Sequence, residues 1–261
     1  MKAKYFGLLI LCLSISCISP DKKSDLSKIN LKGQVKSIKE ITYYAIDKSE
    51  SIEKGNRTEN TDSNFDVYIE FNSYGNKVEE TIMRSEDYLC RKTLYIYDNW
   101  NRIKEITEQY IDGRIIEKMV YDYESSNDYV IENTYNKEGQ NTYKRHLKFK
   151  DGNNIEIKMY EYEYYANNFN YNGKYKSEFN EDGNKIETLS YDFRNSLDFQ
   201  WIYKYDNRQN IIETRYINFQ RSLDITTKFD YQFDSSGNWI RRIEFTDNVP
   251  SFIVEREIEY Y

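Results

Sequence analysis

The feature that most constrains this chain is a short turn that recurs along it at nearly even spacing. In its clearest form an aromatic residue is followed by Asn or Asp, two variable residues and a Gly-Asn pair. The pair is intact in Phe71–Asn76, Phe179–Asn184 and Phe233–Asn238, while Tyr97–Arg102 and Tyr205–Asn210 replace the Gly or shift the register. Gly and Asn tolerate positive φ at low steric cost, so they suit tight turns between antiparallel strands. The repeat predicts a chain of many short hairpins.

The segments between the turns alternate between apolar and polar residues, which is typical of β-strands with one buried face. Turn centres from Gly75 to Asn248 are spaced by roughly 12 to 16 residues, which is too short for helical crossovers. We therefore predict an all-β fold, a long antiparallel β-meander of about 15 strands. Leu31–Tyr44 is predicted to hold the first strand, and the aperiodic, polar stretch Ile46–Asn64 to be the longest loop.

Aromatic residues dominate the strand face that we expect to be buried. The chain has 27 Tyr, 13 Phe and 3 Trp in 261 residues. Phe229, Tyr231 and Phe233 share one face of a strand, opposite Lys228 and Asp230. Cross-strand ring pairs contribute a few tenths to about 1 kcal/mol each. A flat sheet would leave these rings bare, so we expect a curled repeat sheet; a bent sheet, a spiral and a barrel-like wrap are all compatible with the pattern.

Residues 1–16 are predicted to be a lipoprotein signal peptide. Lys2 and Lys4 precede an apolar run, Phe6–Leu13, that is too short to span a bilayer. The sequence Ser14–Cys17 is similar to the bacterial lipobox, in which the cysteine is lipidated and becomes the mature N-terminus. Ser14 stands where that motif usually has Leu, and cleavage without lipid is the alternative.

The predicted mature chain begins with a lipid anchor on Cys17. We expect residues 17–30 to be this anchor and a flexible tether, and residues 31–261 to be a single β-meander repeat domain. This organisation predicts a lipid-anchored location in the cell envelope, at the outer membrane on its periplasmic or surface face. With Cys12 cleaved and Cys17 acylated, Cys90 has no disulfide partner.

The acidity of the chain disfavours a nucleic-acid partner. The net charge is −7 over the whole chain, and removal of Lys2 and Lys4 with the signal peptide makes it more negative still. Phosphates would need a basic face. The expected partners are instead the membrane, through the lipid, and a glycan or protein ligand.

The repeated unit of Tyr or Phe, Asp or Asn, two variable residues and Gly-Asn resembles the YD repeats of RHS-type bacterial proteins. Together with Leu31–Val35, it is also similar to small lipoproteins of Bacteroidota that bear such units. The resemblance covers residues 31–261 and implies a curled β-meander and an envelope location. Large RHS proteins curl into a spiral shell around a toxin, and this chain is too short for a closed shell. The resemblance carries over no catalytic residue; it implies sugar binding without a mapped site.

Catalytic and metal chemistry find little support in the sequence. His146 is the single histidine and alternates with basic neighbours, so we expect an exposed strand residue. One His and one mature free Cys predict no metal site, and we expect no cofactor. No motif selects a carboxylate pair, and turn chemistry explains Asp151–Asn154 and Glu181–Asn184 better than Ca²⁺ binding does. The alternative is a surface glycan-processing hydrolase that uses a carboxylate pair on the curled sheet.

The predicted function is therefore a non-catalytic binding or scaffold module for carbohydrate or peptide. Tyr74, Trp100 and Trp239 lie in or beside the turns, where exposed rings would be available for stacking. The alternative is that these rings seal the sheet edge. A local function is also expected where the repeat is broken, at Asn99–Arg102, Glu124–Asp128 and Tyr164–Gly173.

An outer-membrane barrel would fit the number and length of the strands. Such a barrel requires an unbroken apolar face on each strand. Glu80 between Val78 and Ile82 breaks that face, and so do the charges that follow Ile240. The pattern therefore disfavours strands that face lipid.

Overall fold

The computed structural model describes residues 24–58, 66–83, 90–123, 128–150, 153–163 and 167–261. These residues form one short helix and a single sheet of 17 strands. The helix is α1 (Asp25–Lys28), and the strands in chain order are β1 (Val35–Lys48), β2 (Ser51–Arg57), β3 (Asp66–Phe71), β4 (Lys77–Met83), β5 (Arg91–Tyr97), β6 (Ile103–Tyr110), β7 (Ile115–Tyr123), β8 (Tyr129–Asn136), β9 (Asn141–Lys150), β10 (Asn153–Glu163), β11 (Asn168–Phe179), β12 (Lys185–Tyr191), β13 (Leu197–Tyr205), β14 (Ile211–Asn218), β15 (Leu223–Phe233), β16 (Trp239–Thr246) and β17 (Val249–Tyr260).

The sheet is a meander that closes on itself through β1. Each strand from β3 to β17 pairs antiparallel with the next. One edge of β1 pairs with β17, and its other edge pairs with β2 and then β3. Because β2 and β3 follow each other along one edge of β1, the 17 strands make a closed barrel of 16.

The predicted antiparallel meander is thus confirmed. The curled repeat sheet was predicted to be a bent sheet, a spiral or a barrel-like wrap, and the two open forms, the bent sheet and the spiral, are wrong. The barrel-like wrap is the curled form that the chain adopts. The physical reason is the length of β1, which runs for 14 residues and pairs along both edges. The prediction that Ile46–Asn64 is a loop is also wrong, because β1 continues to Lys48 and Ser51–Arg57 is a strand. Residues 59–65 lie outside the described part of the chain.

The two faces of the wall differ as predicted. Outward-facing strand positions carry ion pairs across the ladder, such as Lys92 with Glu79 at 2.8 Å and Lys204 with Glu213 at 2.7 Å. The inner face holds rings and aliphatic side chains, together with charges that alternation alone did not predict. One buried cluster lines β5 to β9 and contains Tyr95, Ile103, Ile106, Met119, Tyr121, Val130, Leu147 and Phe149. None of the described residues forms a helix long and apolar enough to cross a membrane.

The recurring turn has one hydrogen-bond pattern. Counted from the Asn or Asp that follows the aromatic residue, the turn has four positions. The side-chain Oδ1 of the first position accepts from the backbone N–H four residues on, at 3.1 Å for Asn72 and 2.9 Å for Asp98. The fourth position has positive φ, 78° at Gly75, 62° at Asn101 and 67° at Gln209. Asn101 and Gln209 therefore replace Gly in the same backbone conformation, without a register shift.

Inward-facing tyrosines join one repeat to the next. Each donates its hydroxyl proton to the carbonyl oxygen of the residue 20 positions earlier, which is the first residue of a strand. The pairs are Tyr97 to Lys77 at 2.8 Å, Tyr123 to Ile103 at 2.6 Å, Tyr205 to Lys185 at 2.8 Å and Tyr231 to Ile211 at 2.6 Å. A bulge lies beside several of the turns, and the tyrosine hydroxyl supplies a hydrogen bond to the backbone there. The repeated tyrosine is thus a structural residue.

The chain before β1 crosses one opening of the barrel. The backbone N–H of Leu26 donates to the Gly75 carbonyl at 2.9 Å, in the β3–β4 turn. Farther along, the Asn30 side chain donates to Asn210 at 2.9 Å, and Lys32 N–H donates to Asn238 Oδ1 at 2.7 Å, in two turns on the other side. We call this opening the α1 end and the opposite opening the far end.

The prediction that residues 17–30 include a flexible tether is wrong for residues 24–30. Residues 24–30 belong to the folded barrel, and Leu26 is buried in a second cluster with Leu31, Val35, Ile38, Ile69 and Phe71. Asp25 anchors α1, because its carboxylate accepts from Lys77 N–H at 3.0 Å and lies 2.9 Å from the Tyr97 hydroxyl oxygen, whose one proton it shares with the Lys77 carbonyl. The tether was predicted from polarity alone, which does not distinguish it from a short amphipathic helix. The predicted signal peptide and Cys17 lie outside the described residues.

Candidate functional site

A group of half-buried aromatic side chains lies on the outer wall of β9, β10 and β11, toward the far end. It comprises His146, Tyr160, Tyr162, Phe169 and Tyr171, and we call it the outer aromatic patch. Elsewhere the outer wall carries many cross-strand ion pairs. The patch therefore offers ring surface where neighbouring stretches offer charge.

A bulge in β11 produces the patch. Gly173 stands opposite Met159 and faces the interior, but the register shifts at the next position and Tyr171 stands opposite Tyr160 on the outside. Gly173 has φ 135°, and a Cβ added there would lie 2.4 Å from the Tyr191 carbonyl oxygen. Only glycine fits this close approach of two backbones. Gly173 thus fixes the bulge that turns Tyr171 outward.

The rings of the patch contact one another in pairs. The ring centroids of His146 and Tyr160 are 4.7 Å apart, and those of Tyr160 and Tyr171 are 5.8 Å apart at an interplanar angle of 65°. Tyr162 and Phe169 make a second edge-to-face pair at 5.1 Å. These are favourable geometries for aromatic pairs, so the rings support each other while part of each stays in solvent.

A cation borders the rings. Lys144 Nζ lies 4.8 Å from the Phe169 ring centroid, a cation–π contact. The amide side chains of Asn168 and Asn170 lie on the opposite, inner face of β11, because these residues stand opposite Glu163 and Glu161. Ring surface bordered by an ammonium group can hold a ligand that has both apolar faces and hydroxyl groups.

The sequence predicted part of this location. Tyr164–Gly173 was singled out as a break in the repeat, and Phe169 and Tyr171 lie within it, while residues 164–166 lie outside the described part. Glu124–Asp128 lies outside it as well, except for Asp128. Tyr160 and Tyr162 were missed. A usable signal existed, since both strands of this hairpin alternate an aromatic with a polar residue and a glycine follows Tyr171 and Asn172.

The three predicted ligand-binding aromatics do not form one surface. Tyr74 and Trp100 are 77% and 76% exposed on turns at the α1 end. Trp239 is only 8% exposed, and the Arg256 guanidinium stacks 3.4 Å from its ring centroid inside the barrel. The prediction that Trp239 is an exposed stacking residue is therefore wrong. Its strand pairs it with inward-facing Phe233 across a bulge, which directs its ring inward.

The interior beneath Trp239 holds a balanced group of charges. Arg256 donates to Glu40 at 2.6 Å, and Arg242 donates to Glu244 at 2.6 Å. Burial pushes the pKa of Glu40 upward, but Arg256 and Arg242 outweigh it and hold that pKa below its ordinary value. These four groups neutralise each other, so this interior region does not present an unbalanced charge to a ligand.

The interior of β6 to β9 holds a second group of charges. Glu132 is fully buried; it pairs with Arg145 and accepts from the Tyr121 hydroxyl at 2.7 Å. Glu108 and Glu117 stand opposite each other on β6 and β7. Burial raises the pKa of both carboxyls, and the Glu117 charge raises that of Glu108 further. The hydrolase alternative stays a prediction.

The remaining candidate groups are peripheral. His146 is half-buried on the outer wall, and Cys90 is a free, half-buried thiol. Within the described ranges, no group of three or more His, Cys, Asp or Glu residues is placed to hold a metal ion, and the absence of a cofactor stays a prediction. A cavity beside α1 measures about 220 Å³, which is smaller than typical small-molecule pockets.

No family model and no curated protein matches this sequence. Among solved structures, the chain is similar to porin-like proteins from Bacteroides uniformis (TM-score 0.36, 11% identity, 87% of this chain and 98% of that chain) and Bacteroides vulgatus (TM-score 0.36, 12% identity, 87% and 98%). It is also similar to a LolA superfamily protein from Nitrosomonas europaea (TM-score 0.25, 8% identity, 90% and 91%). These likenesses are too distant to transfer a function, and the resemblance to YD repeats stays a resemblance.

Proposed function

We propose that this protein is a lipid-anchored, non-catalytic module of the cell envelope that binds carbohydrate on the outer aromatic patch. The observation that carries the proposal is the run of contacting rings on a wall that otherwise displays many ion pairs. Aromatic side chains offer large apolar contact area at low entropic cost, because they have few rotatable bonds.

Carbohydrate fits the patch better than an extended peptide does. A peptide commonly binds a β-protein by adding a strand to an open sheet edge. The closed ladder from β1 to β17 leaves little open edge among the described strands. A sugar needs no edge, because its C–H faces pack on rings and its hydroxyls pair with side chains such as Lys144.

The envelope location rests on the sequence before the barrel. Lys2, Lys4 and the short apolar run precede Cys17 in the order of an export signal with a lipidated cysteine. A barrel with an ion-paired outer wall suits water and not the hydrocarbon region, where charged substitutions on the lipid face are costly. The lipid would therefore hold the barrel beside the membrane.

Binding to a panel of bacterial and host polysaccharides tests the ligand class, with affinity gel electrophoresis followed by calorimetric titration. We expect the double variant Tyr160→Ala/Tyr171→Ala to lose about tenfold or more in affinity, because contact aromatics often contribute more than 1 kcal/mol each. Trp100→Ala is the matched control, since it removes an exposed ring at the other end of the barrel. Unchanged binding in the double variant, or equal loss in the control, would contradict the assignment.

Radiolabelled palmitate tests the anchor independently. We expect the label to be incorporated into the wild-type chain in cells and to be lost in Cys17→Ser. Label that persists in Cys17→Ser would refute lipidation at this residue and leave the carbohydrate assignment untouched.

A further inference from the structure

Two large exposed aromatic side chains lie on neighbouring turns at the α1 end. Tyr74 and Trp100 each occupy the third position of their turn, and each is more than three-quarters exposed. The Asn76 side chain donates to Asn101 Oδ1 at 2.8 Å and joins the two turns. The two rings thus belong to one rigid edge of the barrel, although they do not pack into it.

The described chain begins at the same place. A Cβ on Gly75 would lie 2.9 Å from Ser24 Oγ, so Ser24 lies directly beside the residue that follows Tyr74. Leu26 fixes α1 there through its hydrogen bond to the Gly75 carbonyl. Fully extended, the chain from Cys17 to Ser24 spans at most about 25 Å. A lipid on Cys17 would therefore hold the α1 end, and not the far end, close to the membrane.

We propose that Tyr74 and Trp100 form a membrane-contact face that inserts into the lipid headgroup region and seats the barrel on its α1 end. The proposal rests on the acylated Cys17 of the proposed function. Trp and Tyr favour the membrane interface, where the ring enters the acyl boundary while its polar group stays hydrated. Rings at the interface would add a second membrane contact to the lipid on Cys17 and fix the orientation of the barrel.

The neighbourhood of Trp100 suits a headgroup contact. The Arg102 guanidinium lies 4.8 Å from the Trp100 ring centroid and also 4.1 Å from the Tyr123 ring centroid. Arg102 pairs with Asp98 at 2.7 Å, which holds the guanidinium in place. A cation that stacks on the inserted ring can contact lipid phosphate while the ring enters the apolar layer.

The orientation has a consequence for the ligand surface. Tyr160 and Tyr162 lie near the end of β10 that opens at the far end, and Phe169 lies near the start of β11. With the α1 end against lipid, the outer aromatic patch stands away from the membrane. The two aromatic surfaces then have different occupants, lipid at one end and carbohydrate on the wall near the other.

Quenching of tryptophan fluorescence by brominated lipid tests the membrane-contact face. The acylated mature chain is reconstituted into phosphatidylcholine vesicles that carry bromine on acyl carbons near the headgroup. Trp239 is buried within the barrel and Trp201 is half-buried beside Phe199 and Tyr216, so bromine should reach Trp100. We expect a partial loss of emission in brominated vesicles, and no such loss for Trp100→Phe.

Matched variants at the two ends complete the test. Tyr74→Ser should reduce the quenching of Trp100, whereas Phe193→Ser should not, because Phe193 is an exposed ring on an equivalent turn at the far end. Equal emission in brominated and plain vesicles, with an acyl group found on Cys17 by mass spectrometry, overturns the contact face and leaves the anchor standing. Absence of the acyl group overturns the anchor and the contact face together.

Discussion

Two stretches of the barrel wall share the same hairpin geometry but place their charges differently. The seam wall, β15 to β17 with β1, has ion pairs outside and the balanced group around Glu40 and Arg256 inside. The patch wall, β6 to β11, has the outer aromatic patch on β9 to β11 and the ion pair of Lys118 with Glu105 outside, and it buries Glu132 with Arg145 and holds Glu108 opposite Glu117 inside. A carboxyl pKa falls on the seam wall and rises on the patch wall. The difference teaches that buried carboxyls are neutralised in two ways in this barrel, by arginines on the seam wall and by a raised pKa where Glu108 and Glu117 face each other on the patch wall.

The largest expected change in the free energy of unfolding comes from a substitution on the patch wall. Arg145→Met should destabilise the barrel by about 3–5 kcal/mol, because it leaves the fully buried Glu132 carboxylate without its cation. Urea unfolding followed by circular dichroism measures the change. The double variant Glu132→Gln/Arg145→Met is the control and should recover much of the loss. A single-variant effect below 1 kcal/mol would contradict a buried ion pair here.

The corresponding arginine substitution on the seam wall should lower the free energy of unfolding by less. Arg256→Met removes the partner of Glu40, but the Glu40 side chain keeps 20% exposure and Arg242 remains among the groups that lower its pKa. We expect a loss of roughly 2–3 kcal/mol in the same unfolding assay. A loss larger than that of Arg145→Met would reverse the ranking of the two walls.

The contributions of the two walls to the stability of the barrel should change with pH in opposite directions. The folded pKa of Glu108 is raised above its ordinary value of 4.5, so its stabilising contribution is complete below that value and is lost as pH rises through the folded pKa. Glu108→Gln should therefore stabilise the barrel at pH 7 by about 1 kcal/mol, as expected when like charges no longer face each other, and have little effect near pH 4.

Glu40 gives the opposite slope. Its folded pKa is lowered, so its contribution is present above pH 4.5 and is lost as pH falls through the folded pKa. Glu40→Gln should destabilise the barrel at pH 7 and have less effect in acid. Denaturant midpoints for both variants from pH 4 to pH 7 measure the two slopes, and parallel profiles would contradict the assigned difference.

The smallest expected effect is on the outer face of the seam wall. Lys39 and Glu257 approach to only 3.7 Å, and both side chains are well exposed. Lys39→Ala should change the unfolding free energy by no more than about 0.5 kcal/mol, because exposed ion pairs gain little over solvent. A larger change in the urea midpoint would contradict the small contribution assigned to the outer ion pairs.

The sequence predicts local structure well here, and it predicts closure poorly. Alternation and the recurring turn correctly indicate an antiparallel meander, since both reflect local backbone preferences. Closure of the barrel depends on which strands pair with β1. The sequence of β1 carries no signal that identifies β17 and β3 as its partners. The facing of Trp239 and Tyr171 depends on bulges, which shift alternation by one residue and leave no clear mark in the pattern.

The central claim is that the outer aromatic patch is the carbohydrate-binding surface. The most direct test uses two exposed or half-exposed phenylalanines, Phe169 within the patch and Phe193 on a far-end turn outside it. Calorimetric titration with an oligosaccharide selected from the polysaccharide panel should show a loss of about tenfold in affinity for Phe169→Ala, which corresponds to roughly 1.4 kcal/mol. Phe193→Ala should bind as the wild type does. Equal affinities for all three proteins would contradict the claim.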